Sequence, residues 1–286
     1  MPTPREIRRK IISIRNTQKI TNAMEMVSSV KLRNARTHML NARPYAQKIA
    51  EIAAHISQSP AQFISPLTAS RPVKTCNLII VSSDKGMCGG FNSNVFKKAV
   101  EFIHSHKDRK IILTLIGKKA VDFFKNKNYS VSDRYAHIFS KPSYSDASKI
   151  GQKILSDFRS GAIDEVYIVY NKFKSAATQQ TNLDIVLPVS PAIGVAAGVQ
   201  QSNYLLEPDD NRFLDILLSH YFLFQIWQVF LESFASEQGA RMAAMSGATK
   251  NAGELIDKFT LYYNKARQTA ITTELLEVVS GAESLR

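Results

Sequence analysis

Cysteine is scarce in this sequence, and its cysteines and histidines form no pattern typical of a metal site. The 286 residues include two cysteines, Cys76 and Cys88, which are too few for a disulfide framework and indicate free thiols in a reducing compartment. The six histidines are scattered, so zinc-ligand spacing is absent and Cys88 has no evident base to activate it as a nucleophile. We therefore expect neither a metal site nor a catalytic site in this chain.

Nucleotide-binding and secretory motifs are also missing. Neither GxxxxGK[ST] nor GxGxxG occurs, which argues against the common phosphate-binding loops. The start, MPTPREIRRK, has no apolar run, so we expect no secretory signal. It is basic enough to resemble a transit peptide, but a regular helical pattern begins at once, so we interpret it as mature protein.

One stretch, residues 213–231, is strongly apolar and about as long as a membrane span. Polar residues interrupt it, among them Asp215, His220, Gln225 and Gln228. No cluster of Lys or Arg lies close to either end. These features favour a helix that is buried on most sides by partners over one that crosses a membrane.

Positive charge exceeds negative charge, and it is unevenly distributed. The formal net charge is +13; residues 1–58 carry +8, whereas residues 209–286 carry −3. Opposite charge at the two ends favours their pairing. The basic surface indicates an acidic partner, which could be nucleic acid, a lipid surface or a protein. A basic coiled coil that binds nucleic acid is therefore an alternative function, although no RNP-like aromatic strand supports it.

Both ends of the chain have the apolar spacing of long helices. Near the N-terminus the stripe consists of Ile7, Ile11, Ile14, Ile20, Met24, Val27, Leu32, Ala35, Met39, Ala42, Ala46, Ile49, Ala53 and Ile56. Near the C-terminus it consists of Ala252, Ile256, Phe259, Tyr263, Ala266, Ala270, Thr273 and Leu276. Such stripes predict the seam of a coiled coil. Pro44 lies inside the first pattern and should kink or locally break that helix.

The middle of the chain alternates between strand-like and helix-like segments. The predicted strands are 76–81, 110–116, 129–134, 165–171 and 179–187, and the predicted helices are 91–106, 118–127 and 145–159. This alternation indicates an α/β layer with a largely parallel sheet.

The predicted fold class is α/β, an antiparallel coiled coil of N- and C-terminal helices with an inserted Rossmann-like α/β domain. The expected divisions are an N-terminal shaft helix (1–57), a linker (58–72), the α/β domain with a connecting loop (73–208) and a C-terminal shaft helix (209–286).

A glycine-rich sequence, SSDKGMCGGFN at residues 82–92, follows the first predicted strand. Turns of this kind hold phosphate in nucleotide-binding folds, but the glycine spacing here is different. A tight turn whose glycines take positive φ is the simpler interpretation. Lys85 and Cys88 are then expected to lie exposed at the edge of the α/β domain, where a partner can reach them.

Three stretches resemble the γ subunit of F-type ATP synthases. They are EIRRKIISIRNTQKITNAMEMVSSVKLR, SSDKGMCGGFN and ASEQGARMAAMSGATKNAGELIDKFTLYYNKARQTAITTELLEVVSGA, in the family's order. The resemblance covers nearly the whole chain, although residues 220–227 are more apolar than in the family and Leu223 replaces a family Glu. It implies a non-catalytic rotor stalk that couples rotation of the membrane c ring to conformational change in the catalytic β subunits. H⁺ or Na⁺ would drive that rotation.

The resemblance also implies the partners. They would be three α and three β subunits, the ε subunit and the c ring, with no cofactor and no nucleic acid. The chain would be peripheral to the membrane, on the cytoplasmic side of a bacterial inner membrane. The implied contact residues are Lys19, Met24, Lys85, Cys88, Arg267 and Gln268. The first pair matches the shaft facing the β hinge region, the second a loop that approaches a β subunit, and the third the family's catch residues near the top of the shaft.

Overall fold

The computed structural model describes residues 3–57, 65–69, 71–140, 142–176, 178–189 and 210–283. The α-helices are α1 (Pro4–Ser57), α2 (Phe91–Ser105), α3 (Lys118–Phe124), α4 (Tyr144–Arg159) and α5 (Asp210–Glu283). The strands are β1 (Thr75–Val81), β2 (Lys110–Ile116), β3 (Ser130–Tyr135), β4 (Glu165–Phe173) and β5 (Gln179–Leu187). Much of the predicted linker (58–64 and 70) and of the connecting loop (190–208) lies outside the described residues.

The chain divides into two compact units. The helical unit comprises residues 1–28 and 242–286, and the α/β unit comprises residues 29–241. Helices α1 and α5 each contribute residues to both units.

The helical unit is an antiparallel pair of helices, as the fold class predicts. The hydroxyl oxygens of Thr21 and Thr249 lie 2.7 Å apart, and the Gln18 side chain donates to the Thr249 carbonyl at 3.4 Å. Earlier on α1, the Lys10 ammonium lies 5.7 Å from the centroid of the Phe259 ring. Residues nearer the start of α1 therefore contact residues nearer the end of α5, so the two helices are antiparallel.

The predicted seam of α1 is wrong at two positions. Ile20 is 60% exposed and Val27 is 55% exposed, whereas Thr21 and Ser28 are buried. A single-residue shift turns a side chain by about 100° around a helix, so an apolar residue beside the seam points to solvent. Contact with Thr249 lets Thr21 occupy the seam although it is polar.

Pro44 and the end of α5 bear on two other helical predictions. Helix α1 is not broken at Pro44, which lies inside it; the buried Met39 and Ile49 on either side help to hold the flanking turns. Ala270, Thr273 and Leu276 are exposed on α5, because α1 begins at Pro4 and its pairing register ends near Ala266. The side chains of Ala53 and Ile56 lie outside the described part of α1.

The α/β unit is built on a five-stranded sheet of order β3-β2-β1-β4-β5. Strands β1 to β4 are parallel to their neighbours, and β5 is antiparallel to β4. The continuous apolar run of β1 is buried on both faces, as expected for a central parallel strand.

Helices cover both faces of this sheet. On one face, α2 and α3 place Phe96, Phe102 and Phe124 against Leu78 and Ile80 of β1. Because neighbouring strand residues point to opposite faces, the alternate residues of β1 face the other layer.

That second layer contains α4 and the first third of α5. Ile79 and Val81 belong to the same core cluster as Phe158 of α4 and Phe222 and Phe230 of α5. By length and composition this part of α5 could span a membrane. Its burial within the chain's own core accounts for the apolar run of residues 213–231 instead.

We predict that Gly117→Ala destabilises the α/β unit. Gly117 has φ +93°, and a Cβ at this position would lie 2.2 Å from the Ser82 carbonyl oxygen. The left-handed backbone costs about 1–3 kcal/mol for a non-glycine residue, and the clash adds to this. Urea denaturation should show a loss of more than about 3 kcal/mol in the free energy of unfolding.

Gly247→Ala is the matched control, because nothing lies within 4 Å of its added Cβ and the residue is helical. We expect it to be neutral or to stabilise by up to about 1 kcal/mol. Equal effects of the two substitutions would contradict the structural reason given for Gly117.

Candidate partner-contact site

Residues 82–92, the glycine-rich loop, follow β1 at the carboxyl edge of the sheet and end in the first turn of α2. The buried carboxylate of Asp84 accepts hydrogen bonds from the backbone N–H groups of Lys118 at 2.9 Å, His137 at 2.8 Å and Phe139 at 2.8 Å. These donors follow β2 and β3, so one side chain joins the ends of three parallel strands.

A second set of hydrogen bonds closes the glycine-rich loop on itself. The backbone N–H of Ser83 donates to Asn92 Oδ1 at 3.0 Å, and Asn92 Nδ2 donates to Ser83 Oγ at 2.8 Å. The Ser83 hydroxyl donates onward to the Lys85 carbonyl at 2.7 Å. The polar side chains of Ser83 and Asn92 are thus hydrogen-bonded within the loop itself.

The prediction that Cys88 is exposed is wrong, whereas Lys85 is exposed as expected. The Cys88 side chain is 2% exposed, and Asn92 Nδ2 donates to its sulfur at 3.3 Å. Gly89 turns the backbone with φ +57°, which leaves the thiol beneath the loop. Burial raises the pKa of Cys88 despite the opposing hydrogen bond from Ser83, so the neutral thiol is favoured. Cys88 can support the loop but cannot offer its sulfur at the surface.

Sequence reasoning missed the buried ion pair of Glu237 and Arg241 on α5. The Arg241 Nη1 and Glu237 Oε1 atoms lie 2.7 Å apart. Burial raises the pKa of Glu237 to about 7, against the attraction of Arg241 that lowers it. The pair has i,i+4 spacing within a stretch of small and apolar residues, SFASEQGARMAAM. That combination of spacing and surroundings was the available signal.

The other four predicted contact residues belong to the helical unit. Lys19 is exposed and Met24 is half-buried on α1, while Arg267 and Gln268 are exposed on α5. Gln18 contacts Thr249, so Arg267 lies about 25 Å farther along α5 than the residues opposite Lys19. The structure therefore places these residues at two separate levels of the helical pair.

Arg267 and Lys19 both present free charges. In the part of the chain that the structure describes, neither side chain has an ion-pair partner. Beyond Arg267, α5 also exposes large apolar side chains, each 46–66% accessible: Ile271, Leu275, Leu276, Val278 and Val279. This end of α5 thus combines a cation with an apolar surface, as protein interfaces do.

We predict that Asp84→Asn weakens the carboxyl edge of the sheet. The new amide presents N–H groups to backbone donors that now meet carboxylate oxygens, leaving at least one buried donor unpaired. The expected loss in the free energy of unfolding is about 1–3 kcal/mol, measured by urea denaturation. The exposed Asp122→Asn on α3 is the control, with a change within about 0.5 kcal/mol. A loss no larger than the control's would contradict this role for Asp84.

Comparison with known proteins agrees with this architecture. The family described as ATP synthase matches residues 3–285. The ATP synthase gamma chain of Geobacter sp. (strain M21) is 42% identical over 288 residues, covering 100% of both chains. The ATP synthase gamma chain of Chlorobaculum tepidum is 39% identical over 292 residues, again covering 100% of both.

Solved structures show the same fold. A chain of the Euglena gracilis mitochondrial ATP synthase (OSCP/F1/c-ring, rotational state 3) has a TM-score of 0.67 at 18% identity, covering 99% of this chain and 94% of that one. A chain of the Tetrahymena thermophila mitochondrial ATP synthase central stalk/c-ring has a TM-score of 0.63 at 23% identity, covering 80% of this chain and 99% of that one. Together with the full-length identity to gamma chains, this shows that the chain belongs to the ATP synthase gamma chain family.

Proposed function

We propose that this chain is the central rotor stalk of a bacterial F-type ATP synthase and couples ion-driven rotation of the c ring to conformational change in the catalytic β subunits. The observation that carries the proposal is the exposed end of α5. From Arg267 to Ala282, every side chain is exposed. A helix that presents five large apolar residues to water in this way fits a position inside a ring of partner subunits.

The energetics support an enclosed position for this end of α5. Burial of apolar surface contributes about 25 cal/mol per Å², and exposed residues of this kind gain that energy only through a partner. Three α and three β subunits around the helix would supply the missing contacts.

Coupling then follows from the angular position of a few polar groups. Arg267 and Gln268 are consecutive residues that point about 100° apart on one helix, so at any moment they face only part of a surrounding ring. A contact made with one β conformation and lost with another shifts the free-energy difference between those conformations. Rotation of the stalk would apply that shift to each β subunit in turn, and the chain itself would catalyse no reaction.

Charge supports the remaining partner assignments. The net charge of +13 and the exposed Lys19 and Lys85 suit acidic loops of the β subunits and polar loops of the c ring. The α/β unit would bind the ε subunit and stand on the c ring. The chain would then lie at the cytoplasmic face of the inner membrane as a peripheral protein, in a complex driven by H⁺ or Na⁺.

We predict that the chain forms a stoichiometric complex with α and β subunits from the same source. The expected result is Mg-dependent ATPase activity above that of α and β mixed alone, measured after size-exclusion chromatography. A folded chain that elutes apart from folded α and β would overturn the proposal. Salt-sensitive nucleic-acid binding with a steep slope would then favour the alternative function.

We predict that Arg267→Ala weakens coupling more than assembly. The substitution removes one charged contact, of about 1.5–3 kcal/mol, from a helix that other contacts already anchor. The assembled complex should therefore form normally and show reduced ATP-driven ion pumping per ATP hydrolysed. Lys265→Ala is the control, because two residues along a helix place it about 200° away. Unchanged pumping in the assembled Arg267→Ala complex would contradict the prediction.

A further inference from the structure

Arg241 divides its guanidinium group between the backbone of the glycine-rich loop and the carboxylate of Glu237. Its Nη2 donates to the Lys85 carbonyl at 3.0 Å, and its Nε and Nη2 donate to the Gly86 carbonyl at 3.2 Å. Its Nη1 pairs with Glu237 Oε1 at 2.7 Å. A planar fork with fixed donors can meet these three acceptors at once, which a lysine ammonium on a flexible stem cannot do.

Stability alone does not account for this arrangement. The side chains of Arg241 and Glu237 are only 7% and 5% exposed. Burying an ion pair costs several kcal/mol per ion, and apolar residues of similar volume often fill such a site equally well. Apolar residues at these two positions would not fix the directions of the Lys85 and Gly86 carbonyls, because they donate no hydrogen bonds.

Those carbonyls set the conformation of the exposed tip of the loop. With the oxygens of residues 85 and 86 turned inward, the Lys85 side chain is exposed, and Met87 follows with φ +59° and 66% exposure. A non-glycine residue in the left-handed region needs support from its surroundings. Met87 also lines an open groove of about 650 Å³, together with Phe96, Phe123 and Lys97.

We propose that Arg241, oriented by Glu237, is a positioning residue that locks the backbone of residues 85–87 and thereby presents Lys85 and Met87 to an acidic partner surface. The presentation half rests on the proposed function, because the partner would be a subunit of the ATP synthase. The locking half concerns this chain alone. Cys88 provides a local reporter for it, since its thiol lies beneath the same loop.

The first test measures maleimide labelling of Cys88 and Cys76 in the full chain by mass spectrometry. Arg241→Met should raise the Cys88 labelling rate at least about tenfold, because loss of the hydrogen bonds favours local opening. Cys76, buried in β1 with its pKa raised by burial to about 12, should label no faster than in the wild type. Arg241→Lys should give a Cys88 labelling rate between those of the wild type and Arg241→Met.

Glu237→Gln is the conservative variant in this test. The glutamine retains an oxygen that accepts from Arg241, so the Cys88 rate should stay near that of the wild type. A Cys88 rate in Arg241→Met within about twofold of wild type would overturn the lock, since local opening would then be unchanged. So would a parallel rise in Cys76 labelling, because it would mean general unfolding.

The second test is a double-mutant cycle in the assembled complex, measured as ATP-driven ion pumping per ATP hydrolysed. If Arg241 acts through the loop tip, Arg241→Met should add little to the defect of Lys85→Ala combined with Met87→Ala. Additive defects would overturn the presentation of a partner surface. Labelling is measured without partners, so failure of the proposed function would leave that result interpretable.

Discussion

The packing of helix α5 on the sheet is the contact on which the α/β unit depends. Leu214, Leu218, Phe222, Ile226 and Phe230 recur at intervals of four and are 0–1% exposed. Each such side chain contributes about 1.5–3 kcal/mol when buried. Without them, the part of this face that α4 does not cover would be open to water, and parallel strands need cover on both faces. The C-terminal helix is therefore a core element of this unit as well as half of the helical pair.

Apolar packing leaves the loops undetermined, and buried polar groups supply what is missing. Asp84 binds backbone N–H groups beyond β2 and β3, and Arg241 binds backbone carbonyls beyond β1. Both charges are buried, and a buried charge is tolerated when hydrogen bonds satisfy it. Because backbone donors and acceptors have fixed directions, these contacts specify loop conformation in a way that non-directional apolar contacts cannot. The glycine-rich loop thus owes its shape to the helix and strands beside it.

The secondary structure was largely predictable because the hydrophobic period changes sharply between segments. Strands β2 and β5 have the predicted bounds, and the other predicted strands and helices of the α/β unit end within three residues of the observed ones. The seam of α1 was harder, because Thr21 and Ser28 lie in it while Ile20 and Val27 do not. A prediction based on apolar residues alone misplaces the seam by one residue wherever a polar side chain in the seam finds a partner on the other helix. Cys88 failed for a related reason, since neighbouring glycines indicate a turn without showing which side chains lie beneath it.

By itself the sequence determined the element order, the fold class and the family resemblance, because these depend on residue patterns that are local or collinear. It also placed Arg267 and Gln268 on an amphipathic helix. Only the tertiary structure decided that Arg241 reaches the carbonyls of residues 85 and 86, about 155 residues earlier in the chain. The tertiary structure alone also decided that Cys88 is buried and that α5 extends beyond the residues that pair with α1. Such facts depend on directions and distances between segments far apart in sequence. The residue types at single positions do not specify those directions and distances.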